Sequence, residues 1–316
     1  MTKLYGKDEL KETLDETALK GRLSHAIMFS GRKGSGKKVM ARYTARLFLC
    51  ENHACGNCPT CRNIDMGAHP DVIFVRETLG GKYSMEPLKE IIRGTVVKPN
   101  NGDLKIYVFE DCDTMISQHQ NALLKLIEEP APHLRFIFTC ENTNLVPITV
   151  MSRVTLYEVP ETDLESCKRC LIEEGADAKR AEELADIFSG NIGECKAVLS
   201  DNDSETRIIE TAKKAASAAA VKDGFGAAAA LSEAKDRAEL SAVFGYFTRI
   251  FRDALAIKAG AEAEFFDKKT AKKAAEAYTE EELLAILDTA FEISANEIYN
   301  LNAALTAAYF TTVFAK

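Results

Sequence analysis

The sequence lacks any run of apolar residues that approaches the ~20 needed to span a bilayer. Residues 1–20 are charged throughout and lack the apolar core of a secretory signal peptide. Basic residues are not in excess either, because 40 Lys and Arg stand against 48 Asp and Glu. These absences predict a cytoplasmic protein with no membrane partner. They also exclude broad coating of nucleic acid, which requires clustered Lys and Arg, so that any DNA contact should be local or shared.

Nine cysteines are present, and four of them fall within residues 50–61. Such crowding favours a metal site in a reducing compartment over a set of disulfides. The four, in the spacing C-x4-C-x2-C-x2-C, are Cys50, Cys55, Cys58 and Cys61. Four close thiolates suit a closed tetrahedral zinc site, which has no open position for catalysis and is therefore structural. An iron–sulfur cluster is the alternative, although its fourth cysteine usually lies far along the chain.

The pattern of apolar residues predicts an α/β fold followed by helices. Up to about residue 160, short β-rich runs alternate with helical stretches, which is typical of a parallel sheet. The predicted strands are His25 to Ser30, Val72 to Arg76, Ile106 to Glu110 and Phe136 to Thr139. With 316 residues, the chain has room for two or three domains. We expect an α/β domain over 1–160, a small helical domain over 161–205 and an all-α domain over 206–316.

Two local signals in the helical part can be tested directly. Thr162 and Glu165 form a plausible capping box at the start of the first helix after the sheet. Further along, six apolar residues recur at the spacing of one buried helix face. They are Leu240, Val243, Phe244, Phe247, Phe251 and Leu255.

A phosphate-binding loop follows the first predicted strand. The segment from Gly31 to Lys37 fits G-x-x-x-x-G-K, with glycines at 31, 34 and 36. Gly31, Gly34 and Gly36 would let backbone N–H groups face phosphate oxygens, and Lys37 would reach the β and γ phosphates. The position after Lys37 normally carries a Ser or Thr that ligates Mg²⁺, but here it is Lys38.

The acids of the predicted nucleotide site are also irregular. The third predicted strand runs into Glu110-Asp111 instead of the Asp-Glu pair that holds magnesium and orients the attacking water. Asp111 is one methylene shorter than the expected Glu, and hydrolysis depends on accurate placement. The sequence therefore predicts impaired hydrolysis of ATP with magnesium, and it leaves open whether the loop still binds phosphate.

Taken together, these residues resemble the AAA+ subunits of bacterial clamp loaders. The resemblance covers essentially the first two predicted domains. The segments that carry it are Leu23-Ser24-His25-Ala26 before the phosphate-binding loop (P-loop), the four cysteines after the P-loop helix, His69-Pro70-Asp71, the run from Asn121 to Pro130, and Met151-Ser152-Arg153. The last of these is similar to the family's Ser-Arg-Cys motif, with Val154 in place of Cys.

The resemblance implies roles for particular residues. In that family, the arginine of the Ser-Arg-Cys motif is a finger that reaches the γ-phosphate of ATP on the adjacent subunit, which implies this role for Arg153, next to Ser152. Active members also carry a phosphate-sensing arginine in the second domain, where Gly190-Asn191-Ile192-Gly193 places glycine. This missing arginine, together with Lys38 in place of Ser or Thr and Glu110-Asp111 in place of Asp-Glu, points to the delta-prime branch of the family and not to the tau/gamma ATPases.

The resemblance also implies an architecture and partners. The chain would be an AAA+ domain with a zinc-binding insertion at about 50–61, a helical lid over 161–205 and an oligomerisation collar over 206–316. Its partners would be tau/gamma, delta, the sliding clamp and primed-template DNA, within a DNA polymerase III holoenzyme. Two alternatives stay open: an ATPase in its own right, and a metal-dependent assembly factor unrelated to replication. Arg153 and the run from Asn121 to Pro130 argue against the latter.

Overall fold

The computed structural model describes residues 3–76, 83, 85–95, 97–200, 204–235, 237–261, 266–295 and 309–310. The chain divides into two compact units. The first comprises Met1–Cys170 with Asn191–Gly193, and the second comprises Leu171–Gly190 with Glu194–Lys316. The division into three domains with boundaries at 160 and 205 stays a prediction.

A five-stranded parallel sheet forms the centre of the first unit. Its strands are β1 (Ala26–Ser30), β2 (Val72–Val75), β3 (Lys105–Phe109), β4 (Leu134–Cys140) and β5 (Thr155–Glu158). They lie in the order β2-β3-β4-β1-β5, and every neighbouring pair is parallel. The four predicted strands are confirmed within a few residues. The fifth was not predicted, because most of its side chains are exposed at the sheet edge and give no apolar run.

Helices cover both faces of the sheet. They are α1 (Asp8–Leu19), α2 (Lys37–Leu49), α3 (Pro59–Asp65), α4 (Met85–Gly94), α5 (Ser117–Glu128), α6 (Ile148–Met151) and the first part of α7 (Leu164–Glu173). Successive strand residues face opposite sides. Met28 therefore packs in one core with Leu123 and Ile127 of α5, while Ile27 packs in the other with Met40 of α2.

The second unit is helical in its described residues. Its helices are the end of α7, α8 (Ala178–Ile187), α9 (Ile192–Ser200, which begins in the first unit), α10 (Ser204–Ala219), α11 (Gly224–Leu231), α12 (Arg237–Lys258), α13 (Lys268–Ala277) and α14 (Glu280–Ala295). The predicted buried face lies on α12. Five of its six residues are buried, and Leu255 is partly buried. No helix among the described residues is long and apolar enough to cross a membrane.

The predicted fold class is confirmed: a parallel α/β sheet, a cysteine cluster and a helical C-terminal part. The predicted capping box at the start of α7 is wrong. The carboxylate of Asp163 accepts the hydrogen bond from the Ser166 N–H at 2.8 Å, whereas the Thr162 hydroxyl faces the carbonyl of Tyr5. Any Ser, Thr, Asp or Asn can cap a helix, so that adjacent candidates cannot be ranked by spacing alone.

Candidate functional site

The sheet register brings the predicted nucleotide-site residues to one edge. Ser30, at the end of β1, pairs with Cys140 at the end of β4, and Phe109 of β3 pairs with Phe138 of β4. The P-loop after β1 and the acids after β3 therefore lie at the same edge. This is where parallel α/β sheets bind ligands.

The P-loop turns directly into α2. Gly36 is the N-cap residue of this helix and has φ +100°, a conformation that favours glycine. No side chain caps the helix, so that its first N–H groups face the loop. Backbone N–H groups in this arrangement suit an anion.

Lys37 is turned back onto its own loop. Its side chain is only 4% exposed, and Nζ donates to the carbonyl oxygens of Gly31 at 2.6 Å and Arg32 at 2.8 Å. The Glu141 carboxylate lies 3.8 Å away. Burial lowers the pKa of Lys37, and the charge of Glu141 opposes this shift. To contact a phosphate, Lys37 would have to exchange its carbonyl partners.

Lys38 lies between the two acids. Its Nζ is 2.7 Å from Asp111 Oδ2 and 3.1 Å from Glu110 Oε2. Arg76 Nε is also 3.1 Å from Glu110 Oε2, and the Glu110 side chain is 4% exposed. Burial opposes the charge of Lys38, but the hydrogen bond to Asp111 and the charge of Glu110 raise its pKa overall. An ammonium group thus neutralises the carboxylates that would hold a divalent cation, and such a cation would have to displace it.

Thr139 supports the acids and was not identified from the sequence. It is fully buried near the end of β4, and its hydroxyl oxygen accepts a hydrogen bond from the Asp111 N–H at 2.8 Å. Asp111 itself has a left-handed backbone, with φ 53°. The sequence signal that could have identified Thr139 is that it is a polar residue near the C-terminal end of a mostly apolar strand. Thr139 fixes the turn from which Asp111 faces Lys38.

The segment predicted to lack the sensing arginine contacts the P-loop directly. The Asn191 side chain donates to the carbonyl of Lys33 at 2.6 Å, and the Gly193 N–H donates to the carbonyl of Gly34 at 3.1 Å. A Cβ added at Gly193 would lie 2.4 Å from Gly34 Cα. No larger side chain fits at position 193 in this arrangement. The contribution of Asn191 was not predicted.

The four predicted metal ligands come together after α2. Cys50 ends this helix, Cys58 is the N-cap of α3, and Cys61 lies in the first turn of α3. The four sulfur atoms, including that of Cys55, lie within 4.8 Å of one another. Backbone N–H groups of Asn57 and Cys58 lower the pKa of Cys55 to about 6.

Two sulfur–sulfur distances in the cluster match those of a tetrahedral zinc site. The Cys50 sulfur lies 3.7 Å from those of both Cys55 and Cys58. A tetrahedral site with Zn–S bonds of ~2.3 Å has sulfur–sulfur edges of ~3.8 Å. The donor set therefore fits zinc, and zinc bound there would join the end of α2 to the start of α3.

Arg153 and Ser152 follow α6 on the surface of the first unit. Arg153 Nη2 lies 2.6 Å from Glu128 Oε1, and Nη1 donates to the Thr149 carbonyl at 2.8 Å and to the Ser152 hydroxyl at 2.9 Å. The side chain of Arg153 is 36% exposed. The pairing with Glu128 was not predicted, although Glu128 lies in the run from Asn121 to Pro130 that carried the resemblance.

The chain is similar in sequence to subunits of DNA polymerase III. A family model described as DNA polymerase III, delta subunit, matches residues 6–163. The chain is 30% identical over 173 residues to the tau subunit of DNA polymerase III from Salmonella typhimurium, covering 53% of this chain and 26% of that protein. It is 26% identical over 208 residues to a gamma subunit from Buchnera aphidicola subsp. Schizaphis graminum, covering 62% of this chain and 56% of that protein.

Among solved structures, a DNA polymerase III gamma subunit-related protein from Thermotoga maritima is similar in fold. It covers 96% of this chain and 98% of its own, with a TM-score of 0.50 and 15% sequence identity. The matched stretch spans only about a quarter of the tau relative and about half of the gamma relative. The family model, over residues 6–163, covers the five strands and the P-loop.

Proposed function

The chain belongs to the family described as DNA polymerase III, delta subunit, a family of clamp-loader subunits, and from that premise we propose that it acts as the delta-prime subunit of a sliding-clamp loader. In this role it would not hydrolyse ATP efficiently itself. It would assemble with tau/gamma and delta in the cytoplasm, and would support ATP-dependent loading of the sliding clamp onto primed-template DNA.

The pairing of Lys38 with both Glu110 and Asp111 is the observation that carries the noncatalytic part of the proposal. Magnesium normally bridges the nucleotide phosphates and the acids of a P-loop site. Here the acids already have a cation covalently tethered to the chain. The turned-back Lys37 and the close approach of Gly193 to Gly34 support the same interpretation.

The surface around Arg153 supports a role in trans. Ile148 of α6 is 80% exposed, and Ile116 and Leu145 are more than half exposed. The Gln120 amide donates to the carbonyls of Met115 and Leu145, which holds these two loop segments beside each other. An exposed apolar side chain on the helix directly before an arginine suits a protein–protein contact. In GTPases, an arginine finger accelerates phosphoryl transfer by about 10³ to 10⁵.

We assign the cysteine cluster a structural role. Bound zinc would supply folding free energy, on the order of 10–16 kcal/mol apparent in zinc-finger peptides. His53 and Ala54 between the ligands have left-handed φ values of 49° and 53°. Such conformations are unfavourable outside glycine, so that a local constraint such as a metal would help to hold the loop.

A tau/gamma-like ATPase is the second candidate. It is favoured by the 30% identity to a tau subunit and by the presence of Lys37. In that case Lys38 would leave the acids when nucleotide and magnesium bind. ATP turnover by the purified chain alone separates the two candidates.

The test of the first proposal is clamp- and DNA-stimulated ATP turnover by a reconstituted loader. Wild type is compared with Arg153→Ala, and Arg22→Ala, an exposed arginine after α1, is the control. We expect Arg153→Ala to assemble normally and to lower turnover by at least about tenfold, while Arg22→Ala matches wild type. Unchanged turnover in Arg153→Ala, or turnover by the chain alone, contradicts the proposal.

A further inference from the structure

The guanidinium of Arg153 is held against its own subunit. Nη2 pairs with Glu128, the last residue of α5, and Nη1 donates to the Thr149 carbonyl and the Ser152 hydroxyl. The Ser152 hydroxyl in turn donates to the same Thr149 carbonyl at 3.1 Å. These contacts use donors that a guanidinium would offer to a phosphate group.

We propose that Glu128 is a positioning residue that latches Arg153 in a withdrawn state, and that the triphosphate of a nucleotide on the neighbouring subunit releases the latch. This inference rests on the proposed trans role of Arg153. The Nη2 group that contacts Glu128 must leave the carboxylate before it can donate to a phosphate oxygen of another subunit. Carboxylate and phosphate therefore compete for the same donor.

The exposure of the ion pair makes such a latch reversible. The side chains of Arg153 and Glu128 are 36% and 42% exposed, so that water and salt screen their attraction. Exposed pairs of this kind change an equilibrium by at most about fivefold. A triphosphate carries more negative charge than one carboxylate, and it can displace Glu128 without a large rearrangement.

The position of Glu128 in α5 favours the latched state. A negative charge at the C-terminal end of a helix is unfavourable because the unpaired carbonyl groups there are also negative. Arg153 offsets this charge while it is latched. Release of Arg153 leaves this charge uncompensated, and the contacts of Arg153 with the phosphate have to exceed that cost.

The experiment titrates the full-length chain into a loader that lacks it and measures clamp- and DNA-stimulated ATP turnover. The variants are Glu128→Gln, Arg153→Ala and the double variant, with Glu129→Gln as the matched control. We expect Glu128→Gln to lower the concentration for half-maximal turnover by about twofold to fivefold. The maximal rate should change less, and the difference from wild type should shrink as salt rises. Glu129→Gln should match wild type.

The double variant distinguishes a latch from a general structural effect. If Glu128 acts through Arg153, then Glu128→Gln has no effect in the Arg153→Ala background. An equal effect in both backgrounds, a higher half-maximal concentration or an inert Glu128→Gln overturns the latch and leaves the finger assignment standing. If Arg153→Ala itself has no effect, both the finger assignment and the latch fall.

Discussion

Replacing Lys38 with Met tests whether the ammonium acts as a built-in cation. Methionine keeps an unbranched apolar side chain but removes the charge that lies 2.7 Å from Asp111 and 3.1 Å from Glu110. Glu110 then keeps Arg76 at 3.1 Å, and Asp111 loses the cation that neutralised it. The two adjacent carboxylates should repel each other at the end of β3.

The cost follows from the burial of the partners. Removing one member of a fully buried ion pair costs about 3–5 kcal/mol, whereas an exposed pair contributes at most about 1 kcal/mol. Lys38 is 46% exposed, but the Glu110 side chain is 4% exposed, which places this site between the two limits. We expect a loss of about 2 kcal/mol, which lowers the Tm of a unit of this size by about 4–8 °C.

The assay is thermal unfolding with and without millimolar Mg²⁺, and the control is Lys33→Met, an exposed lysine of the same loop. Mg²⁺ should raise the Tm of Lys38→Met, because the freed carboxylates can accept it, and should leave wild type unchanged. The reasoning is refuted if Lys38→Met has the same Tm as wild type, or if Mg²⁺ raises the Tm of both proteins equally.

Three further outcomes follow from the structure. Cys58→Ser should abolish metal binding, measured as metal per chain in anaerobically purified protein. We expect the metal in wild type to be zinc, and iron would support the alternative. The control is Cys195→Ser, which should keep the metal because the Cys195 thiol lies outside the cluster and donates to the Leu184 carbonyl. Gly193→Ala should lower the free energy of unfolding, measured by chemical denaturation, by about 1–3 kcal/mol, because the new Cβ meets the Gly34 backbone. In the control Gly245→Ala, on α12, the new Cβ meets nothing within 4 Å, so that this change should be neutral or slightly stabilising. Equal effects of the two changes would contradict the close approach of Gly193 to Gly34. Folding raises the pKa of Lys38, so that the stabilisation by its charge is fully present below the ordinary lysine pKa of 10.5 and is lost as pH rises through the pKa of the folded state. The Tm values of wild type and Lys38→Met should therefore converge as pH rises through that folded-state pKa. A difference in Tm that stays constant with pH would argue against the ion pairs.

The elements with a strong burial pattern could be predicted from the sequence. β1 and β3 are fully buried and read as apolar runs, and the buried face of α12 recurs with helical spacing. β5 gives no such run, since its exposed residues lie at the edge of the sheet. β5 forms because its backbone pairs with Ile27 to Ser30 of β1. These residues lie far away in the sequence, so that no local pattern could predict the pairing.

Motif spacing likewise identified the P-loop, the acids and the cysteines, but it did not identify which side chains satisfy them. Lys38 was identified only as the replacement of a magnesium ligand, and the structure shows in addition that it pairs with Glu110 and Asp111. Arg76, Thr139 and Asn191 come from three other segments. Their roles depend on the sheet register and on how residues 191–193 meet the loop, and both are tertiary features.

The features of the P-loop have a common physical consequence. Lys37 donates to two carbonyl oxygens of the loop, Lys38 pairs with both acids, and Asn191 and Gly193 donate to two further loop carbonyls, whereas Glu110 Oε1 and Ser35 Oγ are buried without a hydrogen-bond partner among the described residues. A ligand that binds only the native state stabilises it by an amount that grows with the ratio of ligand concentration to Kd, so that a site that binds and releases nucleotide changes stability during each cycle. A loop whose lysine and acids pair within the chain should depend less on a bound nucleotide. A sheet that carries α6 and Arg153 and depends little on bound nucleotide would suit the fixed support that the proposed role of Arg153 requires.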